Sequence, residues 1–264
     1  MSILPKKPHL PQTSLIGLDG TPHSGKTTLS DVFALNYSES SSHALQLVDP
    51  DSLYVQGEGR IMHVAMNLLD PSLDDEMPLV LEKDDWFTHL WHQFNKQLFW
   101  ENQIHNTIYS AKSGETRLIL AQRSPVDQTV FSYSLITHQT DLDYSIPPQD
   151  KTIAQELYLK TIIGSQAAVQ FMDAVVLIGT DQGVAQKRRK EMGRTSKGIA
   201  DSPFFKDLSA WYGFWIENVW PKLYKLNGTG LLVLDGNKPL EENIETLSIY
   251  INKSSQQCLP DIIR

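Results

Sequence analysis

The chain has one cysteine among its 264 residues, Cys258, so it holds neither an internal disulfide framework nor a cysteine-based zinc site. Apolar runs long enough to cross a membrane are missing too. The opening MSILPKKPHLPQ is too short in apolar residues for a secretory signal, and it reads as an N-terminal extension, residues 1–12. Positive charge is in deficit: 23 Lys and Arg against 31 Asp and Glu give a net charge of −8, which argues against broad binding to a nucleic-acid polymer. The 8 histidines fall at no metal-ligand spacing. Internal repeats, low-complexity stretches and domain linkers are all lacking. What remains is an ordinary globular balance of 41% apolar and 20% charged residues, enough for one large core. The expectation is a soluble, cytoplasmic protein of one domain spanning 1–264, with no membrane partner and compatible with a homodimer.

The most informative stretch is Leu15-Ile-Gly-Leu-Asp-Gly-Thr-Pro-His-Ser-Gly-Lys-Thr-Thr-Leu29. An apolar run suited to a buried strand passes into Gly20-x-x-x-x-Gly25-Lys26-Thr27, and a helix can open at Thr27. That order suits a phosphate cradle. Glycines let the backbone approach, N–H groups converge on the anion, and the positive end of the helix dipole faces it. The loop residues Gly20, Thr21, Pro22, His23, Ser24, Gly25, Lys26, Thr27 and Thr28 are therefore candidates to bind ATP. Lys26 would reach the β- and γ-phosphates and Thr27 would ligate Mg²⁺.

Along the rest of the chain, short apolar runs alternate with helical patterns. Strands are expected at Leu45-Gln-Leu-Val48, Leu118-Ile-Leu-Ala121, Ala174-Val-Val-Leu-Ile178 and Leu231-Leu-Val-Leu234. Between them lie a short helix near 61–69, an aromatic helix from Asp84 or Asp85 to about Ala111, and a helix face marked by Val126, Val130, Phe131 and Leu135. A long helix is expected from 153 to Phe171, and an amphipathic one from Phe204 to near Pro221. A last helix begins at about Leu240. Five strands separated by helices predict a three-layer α/β domain with a five-stranded parallel sheet. Ligands in such sheets sit beyond the carboxyl ends of the strands, which selects Asp19, Asp49, Gln122, Arg123 and Asp181.

In that order the chain resembles the deoxynucleoside kinase and thymidylate kinase group of P-loop kinases. Asp19-Gly20 matches the acid before the first loop glycine. Asp49-Pro50 stands where deoxynucleoside kinases have Glu-Pro, and Gln122-Arg123-Ser124-Pro125 stands where they have Glu-Arg-Ser. Val184-Ala-Gln-Lys-Arg-Arg-Lys-Glu191 and Arg194 occupy the place of the arginine-rich lid, here 182–200, and Leu232-Val-Leu-Asp235-Gly236 that of the closing strand. The resemblance implies ATP- and Mg²⁺-dependent phosphoryl transfer to a small nucleoside or nucleotide. Asp49 would act as base; Arg123, Lys26, Arg188 and Arg194 would stabilise the moving phosphoryl group; and Arg189 would help hold the cofactor. Trp86, Phe87, Trp91 and Gln93 are candidates to contact the base, although most of the aromatic helix is expected in the core, and Tyr54 is a candidate for the sugar. Gln122 replaces the family's carboxylate, so Asp19 is expected to join Thr27 at the metal. That replacement leaves a second reading, a nucleotide-binding regulator or scaffold with little turnover. A nucleotide switch is the third, although a guanine-recognition pattern of the type Asn-Lys-x-Asp is lacking.

Overall fold

The computed structural model describes residues 13–40, 44–48, 117–137, 151–193, 199–201 and 204–256, and the elements are numbered along these. Strands β1 (Thr13–Gly20), β2 (Ala44–Val48), β3 (Arg117–Gln122), β4 (Ala174–Gly179) and β5 (Gly230–Asp235) form a parallel sheet in the order β2-β3-β1-β4-β5. Helix α1 (Lys26–Ser40) follows β1, and α2 (Pro125–Thr137) follows β3. Helix α3 (Lys151–Val169) precedes β4, and α4 (Gln182–Glu191) follows it. Helices α5 (Phe204–Phe214) and α6 (Trp220–Asn227) lead to β5, and α7 (Leu240–Gln256) comes last.

Strand periodicity sorts the core into two layers, because successive side chains point to opposite faces of a sheet. Ile16, Leu18, Leu118, Leu120, Val176, Ile178, Leu232 and Leu234 pack with Leu29 and Phe33 of α1 and Leu247 and Ile251 of α7. Leu15, Ile119, Ala121, Val175 and Leu177 face the other way. They meet Val126 and Val130 of α2, Tyr158 and Val169 of α3, and Phe204, Leu208 and Tyr212 of α5. Five residues of β4 are buried in succession, as its unbroken aliphatic run requires of a strand covered on both sides.

Two expected boundaries are corrected. The long helix stops at Val169, and Phe171 lies in the turn that delivers Asp173 to β4, where its carboxylate accepts from the Leu15 amide at 2.8 Å. The amphipathic helix does not end near Pro221. Beyond Phe214 the chain widens into a π-helical stretch, Trp215–Val219, and resumes as α6. Pro221 lies in the first turn of α6, directly after the π-helical stretch. Gly228, at φ 73°, then closes α6 with its amide on the Tyr224 carbonyl.

The expected helices near 61–69 and 84–111, the extension 1–12, and Asp49, Tyr54, Trp86, Phe87, Trp91, Gln93, Arg194 and Cys258 lie outside the described residues. Among the described residues, no helix is long and apolar enough to cross a membrane.

Candidate functional site

The turn after β1 is a tight one around a missing side chain. Gly20 has φ 142°, a conformation open in practice to glycine, and a Cβ there would overlap the Ile178 carbonyl oxygen of the neighbouring strand. Gly25 sits at φ 96° just before α1, and His23 also takes a left-handed conformation at φ 59°. Between them the Ser24 amide donates to the Thr21 carbonyl at 3.2 Å. The Lys26 ammonium curls back over the loop, donating to the Gly20 carbonyl at 2.8 Å and the Thr21 carbonyl at 2.9 Å. The hydroxyls of Thr21 and Ser24 are buried and find no partner among the described residues. A loop of this shape, at a helix N-terminus and with spare buried donors, fits an anion with several oxygens.

Gln122, at the end of β3, faces α1. Its Oε1 accepts from the Thr27 hydroxyl at 3.0 Å, and its Nε2 donates to Ser30 Oγ at 2.6 Å. Ser30 in turn donates to the Thr27 carbonyl at 2.8 Å. Both ends of the amide are thus used. Thr27 spends its hydrogen on Gln122, which leaves its oxygen lone pairs for a cation.

Asp19 does not join this group, and the expectation that Asp19 and Gln122 converge on one metal is corrected. Leu18 pairs with Gln122, so these two share the α1 face and Asp19, one residue on, points to the opposite face. There its carboxylate accepts from the Ser124 amide at 2.5 Å and from the Ser124 hydroxyl. Burial pushes the Asp19 carboxyl well above the usual carboxylate range. Asp127 adds to the shift, while the Ser124 hydrogen bonds and Lys26 oppose it. The folded protein therefore holds a proton here that the unfolded chain has already lost. This contribution to stability is full below the ordinary carboxylate value and disappears as the pH rises through the folded one. Asp19→Asn is expected to flatten this part of the pH profile, read as urea-unfolding free energies between pH 4 and 8. An unchanged profile would count against the assignment.

Asp127, in the first turn of α2, accepts from the Gly20 amide at 3.3 Å and from the Tyr212 hydroxyl of α5. Tyr212 also lies 3.1 Å from the Gly20 carbonyl. Burial, and next the Asp127 charge, raise the Tyr212 phenol well above its usual value, so it remains a donor. The sequence pattern selects neither Asp127 nor Tyr212 as a site residue. Asp127 carried a faint signal, its place just after Arg123-Ser124-Pro125. Tyr212 read as one more apolar position of an amphipathic helix, and Ser30 carried no signal.

Arg123 follows directly on β3 at φ 52°, left-handed for a residue with a side chain, and its amide donates to the Leu18 carbonyl at 3.1 Å. Such strain persists where surrounding structure enforces it, commonly at functional sites. The basic segment after β4 is helical over α4. Arg188 reaches the loop, donating through Nη1 to the Ser24 carbonyl at 3.1 Å and through Nη2 to the Gly236 carbonyl at 2.7 Å. Arg189 turns the other way, is 4% exposed, and pairs with Asp201 at 2.7 Å. The two arginines are adjacent, yet one braces the loop and the other fastens α4 to the short helical turn Ile199–Asp201. Asp181 lies at the N-cap of α4, and its amide is held by the Asn237 side chain at 3.0 Å.

No family model matches the sequence, and no curated protein matches it. Among solved structures, that of a deoxyadenosine kinase from M. mycoides with bound dATP is similar at a TM-score of 0.55 and 14% identity, covering 90% of this chain and 98% of that one. The likeness is one of fold: the chain shares the α/β architecture of that structure.

Proposed function

We propose that the chain is one nucleoside-kinase-like domain that uses ATP and Mg²⁺ to phosphorylate a small nucleoside or nucleoside monophosphate. The observation that carries this reading is the Lys26 ammonium folded over a glycine-bounded loop, 2.8 Å from the Gly20 carbonyl, at the N-terminus of α1. An ammonium resting on the loop's own carbonyls stands where a bound anion's oxygens would replace them as its acceptors. The fold it shares with a deoxyadenosine kinase supports the acceptor class.

In this reading the loop from Gly20 to Thr28 cradles the phosphates through its amides, with the Thr21 and Ser24 hydroxyls among the donors available. Thr27 holds Mg²⁺, which when bound supplies positive charge to the β- and γ-phosphate oxygens. Arg123, fixed in its left-handed turn, orients its planar guanidinium toward the transferring group. Arg188 keeps the loop tip and the Gly236 carbonyl at a set spacing beside the nucleotide. Asp49 takes the acceptor proton, and Arg194 completes a lid over 182–200 that limits hydrolysis. Arg189, committed to Asp201, anchors that lid and does not touch the cofactor. The test is mass analysis of products after incubation with ATP and a panel of nucleosides and monophosphates. Phosphorylated acceptor is the expected result; ATP hydrolysis alone would overturn it.

A second reading, nucleotide binding without turnover, is favoured by one observation. The side chain beside Thr27 is the neutral Gln122, and Asp19 is turned away from it. Gln122→Glu would restore a negative charge there. We expect the Mg²⁺ concentration for half-maximal turnover to fall several-fold, because a carboxylate beside a hard cation adds charge that an amide oxygen lacks. Turnover absent in the natural protein but present in this variant would establish the second reading.

A further inference from the structure

The phosphate loop is held from behind by a tyrosine with one hydrogen and two acceptors. Tyr212 belongs to α5, on the sheet face away from α1, and its ring is buried among Leu177, Phe204 and their neighbours. Its hydroxyl donates to Asp127 Oδ1 and lies 3.1 Å from the Gly20 carbonyl oxygen. A phenol carries a single hydrogen, so at any moment it serves one acceptor fully. Asp127 Oδ1 has another donor, the Gly20 amide at 3.3 Å, and the Gly20 carbonyl has another, Lys26 Nζ at 2.8 Å. Both backbone groups of Gly20 are therefore engaged, and Tyr212 stands between them.

We infer that Tyr212 is a positioning residue for Lys26: its hydroxyl takes over the Gly20 carbonyl when Lys26 leaves that oxygen for the phosphates of a nucleotide. The inference rests on the phosphate-loop reading and adds to it. When the ammonium moves away, a buried carbonyl loses a charged donor, and leaving such an oxygen without replacement costs about 1–3 kcal/mol. Rotation of the Tyr212 hydroxyl from Asp127 to Gly20 supplies the replacement. Asp127 keeps the Gly20 amide, so its carboxylate is not left without a donor. The nucleotide-free resting place of Lys26 is thereby made easy to leave. The exchange needs no movement of α5, only a torsion about the phenolic C–O bond. The phenol's raised titration, set by burial and Asp127, keeps the needed hydrogen in place.

The experiment measures binding of the Mg²⁺ complex of adenosine 5′-(β,γ-imido)triphosphate, not turnover, so that it does not depend on the acceptor. Calorimetry would compare the natural protein, Tyr212→Phe, Lys26→Met and the double variant. Tyr212→Phe keeps the ring and removes the replacement donor, so affinity should fall about tenfold. In the Lys26→Met background there is no ammonium to release, and adding Tyr212→Phe should change affinity less than twofold. A merely structural tyrosine would give the same loss in both backgrounds, and that result would overturn the inference, as would undiminished binding by Tyr212→Phe. Asp127→Asn provides a variant of opposite sign. A weaker competing acceptor leaves the phenol hydrogen with Gly20, so nucleotide should bind more tightly; weaker binding there would count equally against the proposal. If the natural protein binds no nucleotide at all, the phosphate-loop reading fails and the inference falls with it. Normal binding in every variant sinks the inference alone.

Discussion

Lys26→Ala is expected to reduce phosphoryl transfer about a hundred- to a thousandfold while leaving the fold in place. In the proposed function the ammonium supplies the loop's positive charge to the β- and γ-phosphates, and removing a single preorganised charge-stabilising donor from an active site typically costs 10²–10³ in rate. Its structural contribution is smaller. The side chain is only partly buried, and it gives hydrogen bonds to the Gly20 and Thr21 carbonyls. Their loss amounts to about 1–3 kcal/mol, within the margin of a domain this size. Initial rates with ATP and the preferred acceptor, beside near-UV circular dichroism of the variant, separate the two effects. Turnover at the natural rate would remove the basis for the phosphate-loop reading.

Gly20→Ala is expected to have the largest effect on stability of any single methyl added to the described chain. Two penalties coincide there. The backbone lies at φ 142°, where a residue with a Cβ is strained by about 1–3 kcal/mol, and the new methyl would drive into the Ile178 carbonyl oxygen and backbone of β4. That neighbour is a strand, paired in register from Ile16–Ala174 to Gly20–Ile178, so it cannot yield as a flexible side chain would. The sum should exceed about 3 kcal/mol, a value reached by point changes only when a named steric or burial conflict is present. Gly213→Ala is the matched control. It lies within α5, a Cβ there meets nothing within 4 Å, and it should stabilise by about 0.5–1 kcal/mol through helix propensity. Urea unfolding of both variants gives the comparison. Equal midpoints would show that the turn after β1 is not held as described.

The effects of these two substitutions were legible in the sequence to different degrees. Gly20-x-x-x-x-Gly25-Lys26-Thr27 after an apolar run and before a helix identifies Lys26 by pattern alone, because the chemistry of phosphate binding demands those residue types in that order. The pattern says nothing of Ile178, which lies 158 residues further on and decides how little Gly20 can change. The basic run after β4 was equally visible as composition. That Arg188 braces the loop while its neighbour Arg189 is buried against Asp201 depends on the rotation of α4, and a helix turns 100° between neighbours.

The sequence by itself determined the alternation of buried strands and helices, the phosphate loop, and the placing of Gln122 and Arg123 at the end of a strand. All of these follow from local pattern: unbroken aliphatic runs, glycine spacing and the side-chain period of a helix face. Only the tertiary structure decided which of two neighbouring acidic and amide groups faces α1 and Thr27. Asp19 and Gln122 end adjacent strands, and by sequence either could face Thr27. The register Leu18–Gln122 puts Gln122 with α1 and sends Asp19 to Ser124, because a pairing offset of one residue exchanges the two faces of a sheet. Tyr212 and Asp127 lie 85 residues apart in the chain and meet only because α2 and α5 pack on the same face. No local rule contains that meeting, since it is made by burial of the apolar face around it.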